Sequence, residues 1–404
     1  IIKNPLVYLQ GGGYVINRCR SGLTLILILA LLLGLSATGL AANLPIKAKS
    51  AILMEAQTGE VLYEHNPDEQ LPMASVTKIM TMVLALEALR DNKVSFEDVV
   101  VGSYLAKSMG GTQIWLEEGE QMSFKDMLYA VAVGSANDCA VALAEYLGGS
   151  FDAFVAIMNK RASELGLTHT NYVNPSGLDA PNHYTSARDI AMLSRYAVTL
   201  PLFLELTSTW EYWVRKGTPQ EVWLTTFNKM IKQYPGYDGI KTGYTSQAGY
   251  CLSSTAQRNG VRLLAVALGA GTRQDRDQSI KALLDYGFQL YKAEQLLSKG
   301  ESLGKIEVLH GLSDSVDLIV GADLIYPVKK SAILDLTREV QCPAVIVAPV
   351  AQGEQIGTVI FMDPQGNVVA KTPILAAEAV ERAGFLKIIG QTTRQMLKAL
   401  FFRK

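Results

Sequence analysis

From Leu71 to Leu89 the chain reads "LPMASVTKIMTMVLALEAL". As a helix, the part from Val76 to Leu89 carries apolar residues on nearly every side, which commits it to the inside of a larger body. It is too short to cross a bilayer, for which about 20 apolar residues are needed. Other elements therefore have to cover it all round, and the chain must fold as layers around it. Two polar side chains interrupt this stretch. Ser75 and Lys78 are three residues apart, so on a helix they are neighbours one turn above the other. Such a pair is either a satisfied structural contact or a nucleophile beside its base.

A length of 404 residues suggests two or three domains, and 49% apolar against 19% charged residues supplies a sizeable core. Lys plus Arg number 37 against 38 Asp plus Glu, a net charge of −1 without a clustered basic excess, so no nucleic-acid partner is expected. Residues 1–41 read as an export segment. Arg18 and Arg20 precede an apolar run from Leu23 to Leu35, and Gly39-Leu40-Ala41 offers a cleavage site. An uncleaved anchor is the alternative. The residues before about Ile16 are expected not to belong to the natural product, since Ile rather than Met stands first. Beyond Cys19, the widely spaced Cys139, Cys251 and Cys342 do not form a disulfide framework, and the first two read as small core residues.

Along the chain, "SAILMEAQTGEVLYEHN" reads as two strands around a turn at Gln57-Thr58-Gly59. A helical, alanine-rich middle follows, with "GSAND" (Gly134 to Asp138) as a loop between two of its helices. Around Asp238 the texture turns to strands, and Asn259-Gly260 is a strong hairpin signal. "DQSIKALLDYGFQLY" returns to helix. This order predicts a sheet flanked by helices, with an all-helical lobe, over residues 46–292. From 300 to 373, alternating runs such as "SVDLIV" and "EQIGTVIFMD" predict a small all-β domain. Residues 383–404 form an amphipathic helix, with Phe385, Leu386, Ile388, Ile389, Met396, Leu397 and Leu400 on one face and Lys387, Arg394 and Lys398 opposite. A basic face opposite an apolar one at a chain end reads as a membrane-surface helix. The alternative is a terminal helix docked on its own domain.

A lone Ser-x-x-Lys is weak evidence, and Ser302 to Lys305 is a second one without support. Ser75 has company. Ser135 to Asn137 ("SAN") is the only Ser-x-Asn of the chain, and Lys241 to Gly243 ("KTG") its only Lys-Thr-Gly. The three motifs come in order, at a helix start, an inter-helix loop and a strand, as in penicillin-binding proteins and class A β-lactamases. No His-Glu-x-x-His, paired Cys-x-x-Cys or P-loop occurs, so no metal and no cofactor are expected. His65, His169, His183 and His310 are scattered, and none is obviously placed as a base for a serine. Asp138 and Glu145 read as a cap and a solvated face.

With "PMASVTKIMT", "VGSANDCAVALAE", "NPSGLDAPNHYTSARDIA" and "DGIKTGYTSQAG" in order, the sequence resembles the low-molecular-weight penicillin-binding proteins, the serine-type D-Ala-D-Ala carboxypeptidases. The likeness runs from Ile46 to Phe288 and extends to the β-rich domain and the amphipathic tail. It implies an α/β (α+β) penicillin-binding/β-lactamase-like transpeptidase fold. It also implies an enzyme exported to the extracytoplasmic face of the bacterial membrane, with the peptidoglycan stem peptide as substrate and β-lactams as covalent inhibitors.

The residues support distinct roles in such an enzyme. Ser75 is the expected nucleophile and Lys78 its base, if neutral; burial and the nearby charge of Lys241 both favour the neutral form. Ser135 relays the proton to the leaving amine, and Asn137 holds a substrate amide. Lys241, Thr242 and Gly243 suit an edge strand beside an extended peptide, the first two also meeting its terminal carboxylate. By the resemblance, the backbone N–H groups of Ser75 and Tyr244 form the oxyanion hole. Arg276 lies where the family places a carboxylate-binding arginine, with Arg273 as its rival. Endopeptidase or transpeptidase action is the nearest alternative. A class A β-lactamase would need a deacylating Glu-x-x-Leu-Asn pattern, and none follows the Ser-x-Asn loop. A catalytically silent penicillin-binding module is the reading from another class.

Overall fold

Gly249–Arg258 and Val261–Ala270 are antiparallel strands joined at Asn259-Gly260, where φ is 49° and 82°. Positive φ at both central residues is the type I′ geometry, which matches strand twist and which Asn and Gly adopt readily. The structure, a computed structural model, describes residues 44–401; the expected export segment over 1–41 lies outside them. Ser50–Glu55 and then Val61–His65 extend the sheet on one side, and Tyr237–Thr245 forms the edge on the other. All five strands are antiparallel.

Strand side chains alternate between faces. Ile52, Met54, Leu264, Val266 and Leu268 enter the main core with the helical lobe. Leu53 and Leu263 meet the Arg273–Leu290 helix at Gly287. The Lys78–Arg90 helix is buried from Lys78 to Val83 without a break. Around it pack the helices Phe124–Ala132, Asn137–Gly148, Phe151–Glu164 and Ala187–Ala197. Their starts follow local chemistry: Ser123, Ser150 and Ser186 each accept a hydrogen bond from the N–H three residues on.

Two expectations for the lobe need correction. Gly134 to Asp138 is not all loop, because Asn137 and Asp138 form the first turn of a helix whose N-cap is Ala136. Asp138 is fully buried, and its Oδ2 accepts from the Ile114 and Leu116 N–H groups at 3.0 Å each. The segment before it needs that acceptor, which draws the carboxylate inward. Glu145 is half-buried rather than solvated, with Oε2 out of solvent.

The Arg273–Leu290 helix runs directly into the strand Tyr291–Leu297, which pairs with Leu324–Lys329. A six-stranded sheet follows, built around Val308, Val316, Leu318, Val320, Val359 and Ile374. Its last long strand, Val368–Ala376, passes residue 373 because Ile374 and Ala376 are both core residues. Glu60 joins this region to the sheet domain through Lys329 and the Tyr291 hydroxyl. The terminal helix spans Phe385–Phe401.

Candidate active site

Ser75 sits in a short 3-10 turn, Ala74–Thr77, that leads into the Lys78–Arg90 helix. Three-residue spacing there brings Lys78 Nζ to 3.0 Å from Ser75 Oγ. Lys78 is completely buried. Its Nζ also lies 2.6 Å from Asn137 Oδ1 and 2.5 Å from the Ser176 carbonyl. Asn137 is held in this orientation because its Nδ2 donates to the Gly110 carbonyl at 2.7 Å. Burial pushes the Lys78 pKa well below 10.5 and the Lys241 charge pushes the same way, while Asp138 opposes them.

Lys241, on the edge strand, is buried and donates to Ser135 Oγ at 2.9 Å and to the Thr242 carbonyl at 3.1 Å. Burial, then the Arg276 charge, brings its pKa down to about 7. Ser135 has φ 58°, a strained conformation for a residue with a side chain. In this structure it is a partner of Lys241, whereas Lys78 is the partner of Ser75 and Asn137.

Between these two groups lies a cleft of about 240 Å³. Ser75, Ser135, Thr242, Gly243, Tyr244 and Arg276 line it, with Arg273 at its rim. Arg276 is buried and bonded to Asp277, while Arg273 is exposed, so both rivals reach the cleft with different freedom. Close packing fixes the serine turn against the strand. A Cβ added to Gly243 would lie 3.0 Å from the Ser75 nitrogen, and one on Gly177 1.9 Å from the Ala74 carbonyl oxygen. Ala74, just before Ser75, has φ 48°.

Several neighbours carry no motif. Thr112, Phe227 and Tyr250 line the cleft, and Ser176 contributes only a backbone carbonyl. His183 lies behind the serine turn, bonded to Thr77 and not to Ser75. "NPSGLDAPNHYTSARDIA" is the one stretch of sequence that points to Ser176, Gly177 and His183.

A serine at a helix start, a buried lysine against it and an antiparallel edge strand across a cleft define the penicillin-binding, serine acyl-transfer class of fold. The family model for D-alanyl-D-alanine carboxypeptidase (peptidase S11) matches residues 37–272. That for the C-terminal domain of penicillin-binding protein 5 matches residues 291–382. D-alanyl-D-alanine carboxypeptidase DacF of Bacillus subtilis is 40% identical over 347 residues, 86% of this chain and 89% of its own. Penicillin-binding protein 5 of Haemophilus influenzae superposes with a TM-score of 0.61 at 31% identity, covering 83% of this chain and 98% of its own. Penicillin-binding protein D2 of Listeria monocytogenes, in its ampicillin-bound form, gives 0.55 at 33% identity over 61% of this chain and 99% of its own. The chain belongs to the D-alanyl-D-alanine carboxypeptidase family of serine peptidases.

Proposed function

We propose that the protein removes the terminal D-Ala of peptidoglycan stem pentapeptides through an ester on Ser75, and that penicillins acylate the same oxygen. The observation that carries this is the surroundings of Lys78 Nζ. A neutral amine has two N–H bonds and one lone pair. Two of its three neighbours, Asn137 Oδ1 and the Ser176 carbonyl, can only accept, so they take the two hydrogens. The lone pair is left for the Ser75 hydroxyl, whose proton it can take.

Ser75 Oγ then attacks the carbonyl carbon of the penultimate D-Ala as its proton passes to Lys78. The oxyanion faces the N–H groups of Ser75 and Tyr244, whose strand lies against the serine turn. As the C–N bond breaks, the leaving amine takes a proton from the Lys241 ammonium through Ser135, to which that ammonium is hydrogen-bonded. Asn137 acts on Lys78: its Oδ1 accepts from Lys78 Nζ while its Nδ2 is held by the Gly110 carbonyl. Lys241, Thr242 and Arg276 receive the terminal carboxylate, while the missing side chain of Gly243 makes room for the serine turn that packs on the strand. Water finally hydrolyses the ester: Lys78 returns its proton to the departing Ser75 oxygen, and the proton released by the water recharges Lys241 through Ser135.

No carboxylate is among the described residues lining the cleft, so none of them is placed there to activate water as a β-lactamase glutamate does. Incubation with a pentapeptide is therefore expected to release free D-Ala repeatedly, while a penicillin adduct persists for minutes or longer by intact mass. The opened penicillin stays attached and shields the ester, whereas D-Ala diffuses away. Rapid penicillin turnover without D-Ala release would replace this reading with a β-lactamase. Cleavage of cross-linked dimers in preference to pentapeptide would make it an endopeptidase.

After export the protein sits at the extracytoplasmic membrane surface, and the terminal helix supports the membrane contact. Gln391 donates to the Gly311 carbonyl at 3.2 Å and to Asp314 at 2.8 Å, and Lys387 to the Leu312 carbonyl, so polar side chains face the β-rich domain. Phe385 and Leu386 are 77% and 84% exposed, and Ile389 is exposed too. Of the expected faces, the side chains of Arg394, Met396, Leu397, Lys398 and Leu400 lie outside the described residues. An apolar face left open by a docked polar one suits a lipid surface. A chain ending at Ala383 is expected to lose binding to anionic vesicles in flotation and to keep activity on soluble peptide. Continued flotation of that signal-free chain would overturn the anchor.

A further inference from the structure

We propose that His183 is a positioning residue for Ser75. Its imidazole, acting through Thr77, locks the turn that presents the Ser75 hydroxyl to the segment that holds Lys78. This rests on the reading of Ser75 as the nucleophile.

His183 is buried, and the hydrogen bonds around it fix their own direction. Its Nδ1 faces the backbone N–H of Val173 at 3.1 Å and can only accept there. The ring proton is therefore on Nε2, assigned from this network, and is donated to Thr77 Oγ1 at 2.8 Å. The Thr77 hydroxyl in turn donates to the Ala74 carbonyl at 2.8 Å. Burial brings the His183 pKa down to about 4. Asp179 opposes this shift and the Lys78 charge adds to it; the Tyr172 ring packs at 6.1 Å. At neutral pH the ring is thus uncharged, as its two partners require.

The relay ties together two segments. One is 173–178, where Asn174 Oδ1 gathers the N–H groups of Ser176 and Gly177 at 3.1 and 2.7 Å. From it the Ser176 carbonyl reaches Lys78, and the Pro175 carbonyl accepts from Thr81. The other is the serine turn, with Ala74 at φ 48° and its carbonyl pressed against Gly177. A left-handed alanine persists only where its surroundings over-determine it. A helical Thr divides between two χ1 rotamers when its hydroxyl bonds a carbonyl in the preceding turn. The donor from His183 selects one of them, and with it the Ala74 carbonyl that precedes the nucleophile.

The test uses the signal-cleaved chain and reads the acylation rate by penicillin, KM and kcat for pentapeptide, and Tm. His183→Asn keeps an acceptor for Val173 and loses the reach to Thr77. It is expected to slow acylation and lower kcat about 10–100-fold, since a misplacement near 1 Å costs about that much. KM should change little. His183→Gln places an amide donor near the Nε2 position and is expected to recover most of the rate. Thr77→Val should match His183→Asn, and the double variant should be no slower, as two members of one relay are not additive. Wild-type rates in His183→Asn, or full additivity with Thr77→Val, would overturn the proposal. Equal losses in His183→Gln and His183→Asn that follow Tm would do the same. A wild-type adduct mapped away from Ser75 would instead overturn the site reading beneath it.

Discussion

Ser75→Ala is expected to leave no covalent label when the protein is treated with a fluorescent penicillin, and to release no D-Ala from pentapeptide. The chemistry needs an oxygen at that position to form the ester, and among the described residues Ser75 is the hydroxyl hydrogen-bonded to Lys78 Nζ. Ser135, the other serine in the cleft, is bonded to Lys241 rather than to Lys78. The fold should survive. Ser75 is half-buried, and its side-chain hydrogen bond is with Lys78, which keeps Asn137 and Ser176. Gel fluorescence with intact mass reads the result, and thermal unfolding controls for structure. Label retained at wild-type stoichiometry would remove Ser75 from the mechanism.

Lys78→Ala carries the next largest effect. General-base assistance is typically worth about 10²–10⁴ in rate, and acylation should fall by that order. Stability should fall as well, since the buried Asn137 Oδ1 and Ser176 carbonyl lose their donor. Lys78→Met, which keeps much of the volume, separates the two effects: it should be as slow in acylation. A normal rate in either variant would exclude Lys78 as the base. The pH profile supplies an independent check. A base at Lys78 has to be uncharged, so the acylation rate is expected to rise with pH as its proton leaves. The positive charge of Lys241 depresses the Lys78 pKa. Lys241→Gln removes that charge, so the Lys78 pKa should rise and the acid limb of the profile should move to higher pH. A limb that stays in place, or moves down, would break the electrostatic coupling between the two lysines.

Much of this site is legible in the order of residues alone. The Ser75–Lys78 contact follows from helix geometry, because residues three apart face the same way whatever surrounds them. The Asn259-Gly260 hairpin and the Ser123, Ser150 and Ser186 caps are local in the same sense. The order of the three motifs points to the family, because shared descent preserves it along the chain.

Other features depend on where distant segments meet. Ser135 and Lys241 are 106 positions apart, and Asn137 and Lys78 are 59 apart. The division into a Ser75–Lys78–Asn137 group and a Ser135–Lys241 group is set by how the helical lobe closes on the edge strand. Ser176 acts through a carbonyl that every residue possesses, so no motif can mark it. In sequence His183 is one of four scattered histidines, and only the fold puts its ring between Val173 and Thr77. Asp138 passes for a helix cap because its burial comes from the 114–116 segment, remote in sequence. The lowered pKa of Lys78 is of the same kind. Sequence determined which groups the site contains and which neighbours they meet within one turn. Tertiary structure alone decided their charge and orientation, because desolvation and hydrogen bonding are summed over atoms that the chain brings together only on folding.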